Sequence, residues 1–277
     1  MVRFYLFWVL INIFLPNSIL GQTTSDAKYL PFSHAHNDYE KLRKPFFEAY
    51  RLGFQSIEVD VFPHKGKLIV SHISLTLPVS KSLEELYIKP ISEYLATNAQ
   101  KDKRAATILM VDIKRKPDIA FQRLISLVEA YPSVFRKWTG EDDSTGGIRL
   151  LLSGAVPTQL VIQDTSGYIA MDGRPTLVHD SRFSQIKMPR ISVPYHSISH
   201  WGGIGPMPPK QEDALQRLIK EAHTSGRKIR LWGMPNSKKV WGKMIRMGVD
   251  WINVDKIVVY KNYISQQTIS KPINKPF

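Results

Sequence analysis

The chain has 277 residues, 43% of them hydrophobic, enough for one large core or two small ones, which excludes a disordered chain. Its 38 Lys and Arg against 24 Asp and Glu give a formal net charge of +14, favouring anionic partners such as phosphate esters or acidic lipid headgroups. It contains no cysteine, which excludes a disulfide framework, and no zinc-finger, basic-zipper or aromatic RNA-binding pattern, which sets nucleic acid aside.

In chain order, residues 1–21 read as a secretory signal peptide: a cation at Arg3, an apolar run from Phe4 to Leu15 that is short for a membrane span, and a small residue at Gly21. An uncleaved anchor is the alternative. Either form puts the remaining 22–277 domain outside the cytoplasm, secreted or periplasmic, and we expect a monomer. Apolar or β-branched runs that predict strands follow at 29–36, 54–62, 106–114, 148–154, 168–173, 191–196, 228–234 and 250–256. Several are apolar nearly throughout, as in strands covered on both faces. Helical patterns fall at 44–53, 82–98, 116–131, 208–226 and 236–248, the last with Asn236 and Ser237 as a predicted N-cap. The alternation and its length predict an α/β fold, a single (β/α)8 TIM-type barrel, with an open doubly wound sheet as the alternative. A short extra strand within 65–74 turns back after the second, and no clear helix separates the fifth and sixth strands.

Barrel chemistry belongs at the C-terminal strand ends. Those ends carry His34 and His36, Glu58 and Asp60, His72, Asp112 and Lys114, Ser153, Asp172, Trp232 and Asp255. Side chains two apart on a strand share a face, so Glu58 projects with Asp60, His34 with His36, and Asp112 with Lys114. Two adjacent carboxylates repel unless a cation lies between them, and a third at Asp112 makes an oxygen-rich site for a hard divalent ion, Mg2+ or Ca2+, rather than zinc. Taken singly, each feature has a plainer explanation: an exposed strand face for Glu58 and Asp60, a polar strand end for His72, core filling for Trp232. His64, His179, His196, His200 and His223 read as surface or packing residues, with His196 and His200 near enough to a strand end to line its mouth.

The segments "HAHNDYE", "KPFFEAYRLGFQSIEVDVF", "KGKLIVSH", "LMVDIK" and "IRLWGMPNSKKVWGKMIRMGVDWINVDKI" together resemble the PLC-like phosphodiesterase superfamily. That superfamily holds glycerophosphodiester phosphodiesterases, phosphatidylinositol-specific phospholipases C and sphingomyelinases D; the nearest resemblance is to its bacterial branch related to the yeast altered inheritance of mitochondria protein. The resemblance implies catalytic histidines at His36 or His34 and at His72, metal carboxylates at Glu58, Asp60 and Asp112, and Lys114 as the adjacent cation. It also implies an aromatic substrate neighbour at Trp232; Asn37 and Lys114 complete the expected substrate contacts. The chain departs from glycerophosphodiesterases in three places: Asn37 and Asp38 replace Arg-Gly after the histidine, Ile73 replaces Asp after His72, and no Pro-Glu-Asn motif occurs. The expected activity is hydrolysis of a glycerophosphodiester or phospholipid-type phosphodiester by a His/His acid–base pair, with the substrate's own hydroxyl attacking and a cyclic phosphate formed. His36 is the favoured acid–base residue, with His34 orienting the site. The competing readings are a non-catalytic phosphate- or headgroup-binding barrel and a zinc amidohydrolase built on the His-Ala-His pair. The basic surface also leaves peripheral contact with an anionic membrane open.

Overall fold

In the computed structural model, residues 30–40, 44–98, 105–139 and 146–270 are described; the expected signal segment 1–21 lies outside them. Among the described residues nine strands form: β1 (Leu30–Ala35), β2 (Phe54–His64), β3 (Lys67–Val70), β4 (Thr107–Ile113), β5 (Ile148–Gly154), β6 (Ile169–Gly173), β7 (Arg190–Pro194), β8 (Lys228–Trp232) and β9 (Trp251–Val254). All but β3 run parallel in the order β1-β2-β4-β5-β6-β7-β8-β9, and β9 pairs back to β1 to close an eight-stranded TIM-type barrel. The open doubly wound sheet is thereby excluded. The extra strand β3 is an antiparallel hairpin partner of β2, turning at Lys65 and Gly66, both at positive φ.

Between strands lie α1 (Phe47–Arg51), α2 (Lys89–Asn98), α3 (Pro117–Ala130), α4 (Thr158–Gln163), α5 (Pro209–Thr224) and α6 (Lys238–Met247), and α7 (Ile257–Ser270) follows β9. The pattern at 82–98 divides into a π-helical turn, Glu84–Ile88, running into α2; Ser82 and Glu85 exchange backbone and side-chain bonds as a capping box ahead of it. After β6 the connection holds only a 3-10 turn at Pro175–Leu177, matching the missing helical pattern there. The expected cap of α6 does not form. Ser237 occupies the N-cap backbone position without a side-chain bond, and Asn236 is bound elsewhere, to Asp255.

The strands are less uniformly apolar than their sequences read. Their outward side chains (Ile57, Val59, Leu109, Val111, Leu150, Leu152, Ile229, Leu231) join the large core beneath the helices. Their inward ones include Asp60 and Asp112 at the level of the site and, beneath them, Ser56, Glu58, Asp172, Arg190, Ser192, Arg230 and Asn253, bonded to one another across the barrel. Among the described residues, apolar filling of the interior is a small cluster of Met110, Leu151 and Ala170 with Ile108 and Trp138 against it. Alternation with period two, hidden by the apolar outer row, sorts the chain into a dry outer layer and a polar bore.

Candidate active site

Strand register sets the level of the site. Asp60 on β2 lies beside Asp112 on β4, and Asp112 beside Ser153 on β5. Ligand oxygens of Glu58, Asp60 and Asp112 come within 4.8 Å of one another. Each carboxylate commits one oxygen to protein donors. Asp60 Oδ2 accepts from His72 Nδ1 (2.8 Å), Lys114 Nζ (2.9 Å) and Asn37 Nδ2 (3.3 Å), and Asp112 Oδ2 accepts from Lys114 Nζ (2.8 Å). The other oxygens, Asp60 Oδ1 and Asp112 Oδ1, are buried with no hydrogen-bond partner. Two orphaned buried carboxylate oxygens are costly without a cation, and an all-oxygen donor set fits a hard divalent ion.

Close approach of strands makes Gly154 necessary. Its φ is +70°, and a Cβ built there would lie 1.9 Å from Asp112 Oδ1. Burial raises the Asp112 pKa, with the Glu58 and Asp60 charges adding to the rise and the Lys114 ammonium opposing it. Burial also works against the charged Lys114, but its bonds to Asp112 and Asp60 outweigh that and hold the ammonium above its ordinary value. Lys114 therefore stays a cation at the cleft.

The two histidines of "HAH" part company. His34 is fully buried: Nε2 donates to Glu58 Oε2 (2.8 Å), and Nδ1 accepts from Ser56 Oγ (2.7 Å), whose oxygen in turn accepts from Arg190 Nη1 (3.3 Å). Burial first, then the Arg230 and Arg190 charges, lower its pKa well below the usual value, so it is a neutral imidazole with neither nitrogen open to substrate. His36 is half-buried, and its Nδ1 donates to Asp255 Oδ1 (2.7 Å). Asp255 is held on its far side by Asn236 Nδ2 (2.6 Å) and donates its own backbone N–H to Asn236 Oδ1 (3.3 Å). Burial pulls the His36 pKa down, but the Asp255 hydrogen bond and the Glu58 and Asp255 charges together raise it. Its Nε2 is the nitrogen left for the cleft. These opposed settings also separate the His-Ala-His pair as ligands: among the described residues the carboxylate cluster includes neither ring.

Below the carboxylates runs a buried ion network. Arg230 Nη2 reaches Glu58 Oε2 (2.6 Å) and Asn253 Oδ1 (2.5 Å), Arg230 Nη1 reaches Asp172 Oδ2 (3.4 Å), and Arg190 Nε reaches Asp172 Oδ1 (2.9 Å). Burial would raise the Asp172 pKa, yet the two guanidinium charges hold it below the carboxylate range.

His36, His72, Glu58, Asp112, Lys114, Arg174, Arg230 and Trp232 line one cleft of about 480 Å3 at the C-terminal end of the barrel. Trp232 stands at its edge with His196 packed edge-on against the indole, ring centroids 5.9 Å apart. Asn37 is a correction: instead of facing substrate it is 3% exposed, outside the cleft lining, and its amide supports Asp60. Its φ of +46° turns the chain inward just after His36. Sequence reasoning passed over Arg230, Asn253 and Arg174 and gave Asp255 and Asn236 no site role. Arg230 carried a usable signal, an arginine two positions before Trp232 on an otherwise apolar strand.

A model of the AIM6-like phosphodiesterase domain matches residues 23–171, which hold both cleft histidines, the three carboxylates and Lys114. The chain belongs to that family. Similar relatives are altered inheritance of mitochondria protein 6 of Eremothecium gossypii, 24% identical across 87% of this chain and 71% of that protein, and its Saccharomyces cerevisiae counterpart, 23% identical across 90% and 74%. Among solved structures, a glycerophosphodiester phosphodiesterase from Agrobacterium tumefaciens has a TM-score of 0.52 at 13% identity, covering 85% of this chain and all of that one (100%). A calcium-dependent phosphoinositol-specific phospholipase C from a Pseudomonas species has a TM-score of 0.53 at 11% identity, covering 82% and 91%. At these identities the structures show a shared barrel fold. Arg230, Trp232, Asn236 and Asp255 all lie beyond the segment the family model matches.

Proposed function

We propose that the protein is an exported, metal-dependent phosphoric diester hydrolase acting on a glycerophosphodiester or phospholipid-type substrate. One observation carries this reading: two buried, unpartnered carboxylate oxygens, on Asp60 and Asp112, belong to carboxylates bonded to a lysine held as a cation, beside a cleft that both His36 and His72 line. Glu58, Asp60 and Asp112 would hold Mg2+ or Ca2+, which when bound supplies positive charge to a phosphoryl oxygen. Lys114 and the half-exposed Arg174 neutralise the second non-bridging oxygen as charge builds on it. His36 and His72 are the acid–base pair: one takes the proton of the attacking hydroxyl and the other returns a proton to the leaving oxygen. Each ring has Nδ1 tied to a carboxylate, Asp255 for His36 and Asp60 for His72, so each presents Nε2 to substrate. His34 and Arg230 fix Glu58 from below. Attack by a hydroxyl on the substrate itself gives a cyclic phosphate, and attack by water gives the open monoester.

The test is hydrolysis of an aryl phosphodiester by the chain after chelation, with and without added Mg2+ or Ca2+, beside Glu58→Ala and His72→Ala. Metal-restored turnover that both substitutions abolish is the expected result. A folded, metal-binding chain with no turnover on aryl, glycerol or inositol diesters would instead support a phosphate- or headgroup-binding barrel.

A further inference from the structure

The large apolar side chains left in solvent are not scattered. Leu75, Val79 and Ile204 are 85%, 86% and 90% exposed, the highest values among the described large apolar residues. Leu75 and Val79 lie in the loop that follows the cleft residue His72, and Ile204 lies in the loop between β7 and α5. Leu75 and Val79 follow within seven residues of His72, which lines the cleft, and the loop of Ile204 leaves the C-terminal end of the parallel strand β7, so all three side chains stand at the mouth of the cleft. In the closed strand order, β2, which carries the β3 hairpin, and β7 are separated by three strands in either direction, so the two loops face each other across the opening. Val258 and Val259, also exposed, sit in the first turn of α7 on this same end. At the opposite end, among the described residues, Ile186 is the exposed large apolar side chain, at 40%. The hairpin loop is anchored: Leu77 is buried against Phe62 and Ile69, which holds Leu75 and Val79 outward.

The same rim is cationic. Lys238 and Lys239 are exposed in the first turn of α6, where no acidic residue accompanies them. Cations there oppose the helix dipole, so the local fold gains nothing from their position. Arg115 lies over the Phe62 ring at 5.3 Å, at the base of the apolar loop, and exposed Lys116 adjoins it. The rim acids include Glu40 and Asp118. Exposed aliphatic side chains beside a ring of cations match the interface of an anionic bilayer, where apolar groups enter the headgroup–acyl boundary and Lys or Arg face anionic lipid. Among the described residues no helix is long and apolar enough to cross a membrane, so such contact is peripheral.

We propose that the barrel mouth docks on an anionic membrane surface, with Leu75 and Val79 on one side and Ile204 on the other entering the lipid and Lys238 and Lys239 holding the headgroups. The docked cleft opens onto the bilayer, which makes a membrane lipid the phosphodiester; this last step rests on the hydrolase reading above.

Because the chain has no cysteine, single-cysteine variants report one position at a time. Leu75→Cys, Ile204→Cys and Ile186→Cys chains, each carrying an environment-sensitive fluorophore, are titrated with phosphatidylcholine vesicles with and without phosphatidylglycerol. The expected result is a blue shift at 75 and 204 with phosphatidylglycerol vesicles and none at 186. Adding Lys238→Glu and Lys239→Glu to the Leu75→Cys chain should raise the lipid needed by about tenfold. A silent label at 75 or 204, an equal shift at 186, or indifference to charge reversal overturns docking. All variants carry the same apolar N-terminal run, so its own affinity for lipid cannot produce a difference between positions. Insertion needs no turnover: labels that insert in a chain that hydrolyses nothing would remove the hydrolase reading alone, and aryl-diester turnover without insertion would remove docking alone.

Discussion

The bore of the barrel and its mouth are built from the same residue types for different ends. In the bore, Arg190, Asp172, Arg230, Glu58 and His34 are buried and pair with one another, with Glu58 and Arg230 reaching the floor of the cleft. At the mouth, Lys114, Asp60, Asp112, His72 and His36 are paired too, but two carboxylate oxygens and the outer ring nitrogens are left over. A buried ion pair adds little net stability over a well-packed apolar pair, while losing one partner leaves an uncompensated charge. The bore network therefore enforces geometry, fixing Glu58 from beneath, and the mouth holds the unsatisfied valences that chemistry requires. Charge content alone does not identify a site, nor does a single unpartnered donor such as Arg230 Nε in the bore; two neighbouring carboxylates that each leave an oxygen unpartnered do.

The contrast breaks first at His36. His36→Ala should reduce phosphodiester turnover by about 10^2- to 10^4-fold with the melting temperature nearly unchanged, measured by steady-state kinetics beside thermal unfolding. A small loss of rate would transfer the acid–base role away from this ring. The bore responds the other way. Arg190→Ala takes from Asp172 its closest guanidinium, leaving the longer Arg230 contact and the Ser192 hydroxyl, and should cost about 3 kcal/mol of unfolding free energy in urea titration. An Arg190→Ala chain as stable as the parent would mean that the network is solvated and that the division between bore and mouth is false.

Much of the mouth was legible in the sequence because strand parity is strict. His34 with His36, Glu58 with Asp60, and Asp112 with Lys114 each had to share a face, and a closed parallel barrel brings such faces together at one end. The bore was not legible. The apolar outer rows of β7 and β8 masked Arg190 and Arg230, and an arginine inside a strand reads as edge or surface until closure shows that its partner is an aspartate on β6. Asn37 was misplaced for a related reason: a positive φ reverses the chain after His36, and no pattern of residue types announces that turn. Asn236 looked like a helix cap, yet its contact with Asp255, nineteen positions on, joins two loops that sequence spacing does not bring together.

Asp255 sharpens the comparison at the level of one proton. Asp255→Asn removes the charge that raises the His36 pKa, so the ring should titrate lower. With His36 as the base, the acid limb of the kcat/KM profile moves to lower pH and the plateau rate falls by about tenfold, the weaker base taking its proton less readily. With His36 as the acid, the alkaline limb moves down instead. An unmoved profile would reduce Asp255 to a structural support.

The smallest effect separates the two histidines of "HAH" by sign. The folded state holds His34 neutral, with its pKa depressed below the 6.5 of a free imidazole. As pH falls below about 6.5 the unfolded chain takes up a proton that the folded chain refuses, so stability declines with acidification by at most about 1.4 kcal/mol per pH unit from this group. His36, with its pKa raised, contributes stability that is complete below about 6.5 and fades as pH rises through the raised value. Urea unfolding from pH 5 to 8 should therefore lose part of its acid-side slope in His34→Gln and part of its alkaline-side slope in His36→Gln. The slope is the readout, because either substitution also alters packing. Equal slopes in the two variants would mean that both rings share one environment, contrary to the division between a buried bore and an open mouth.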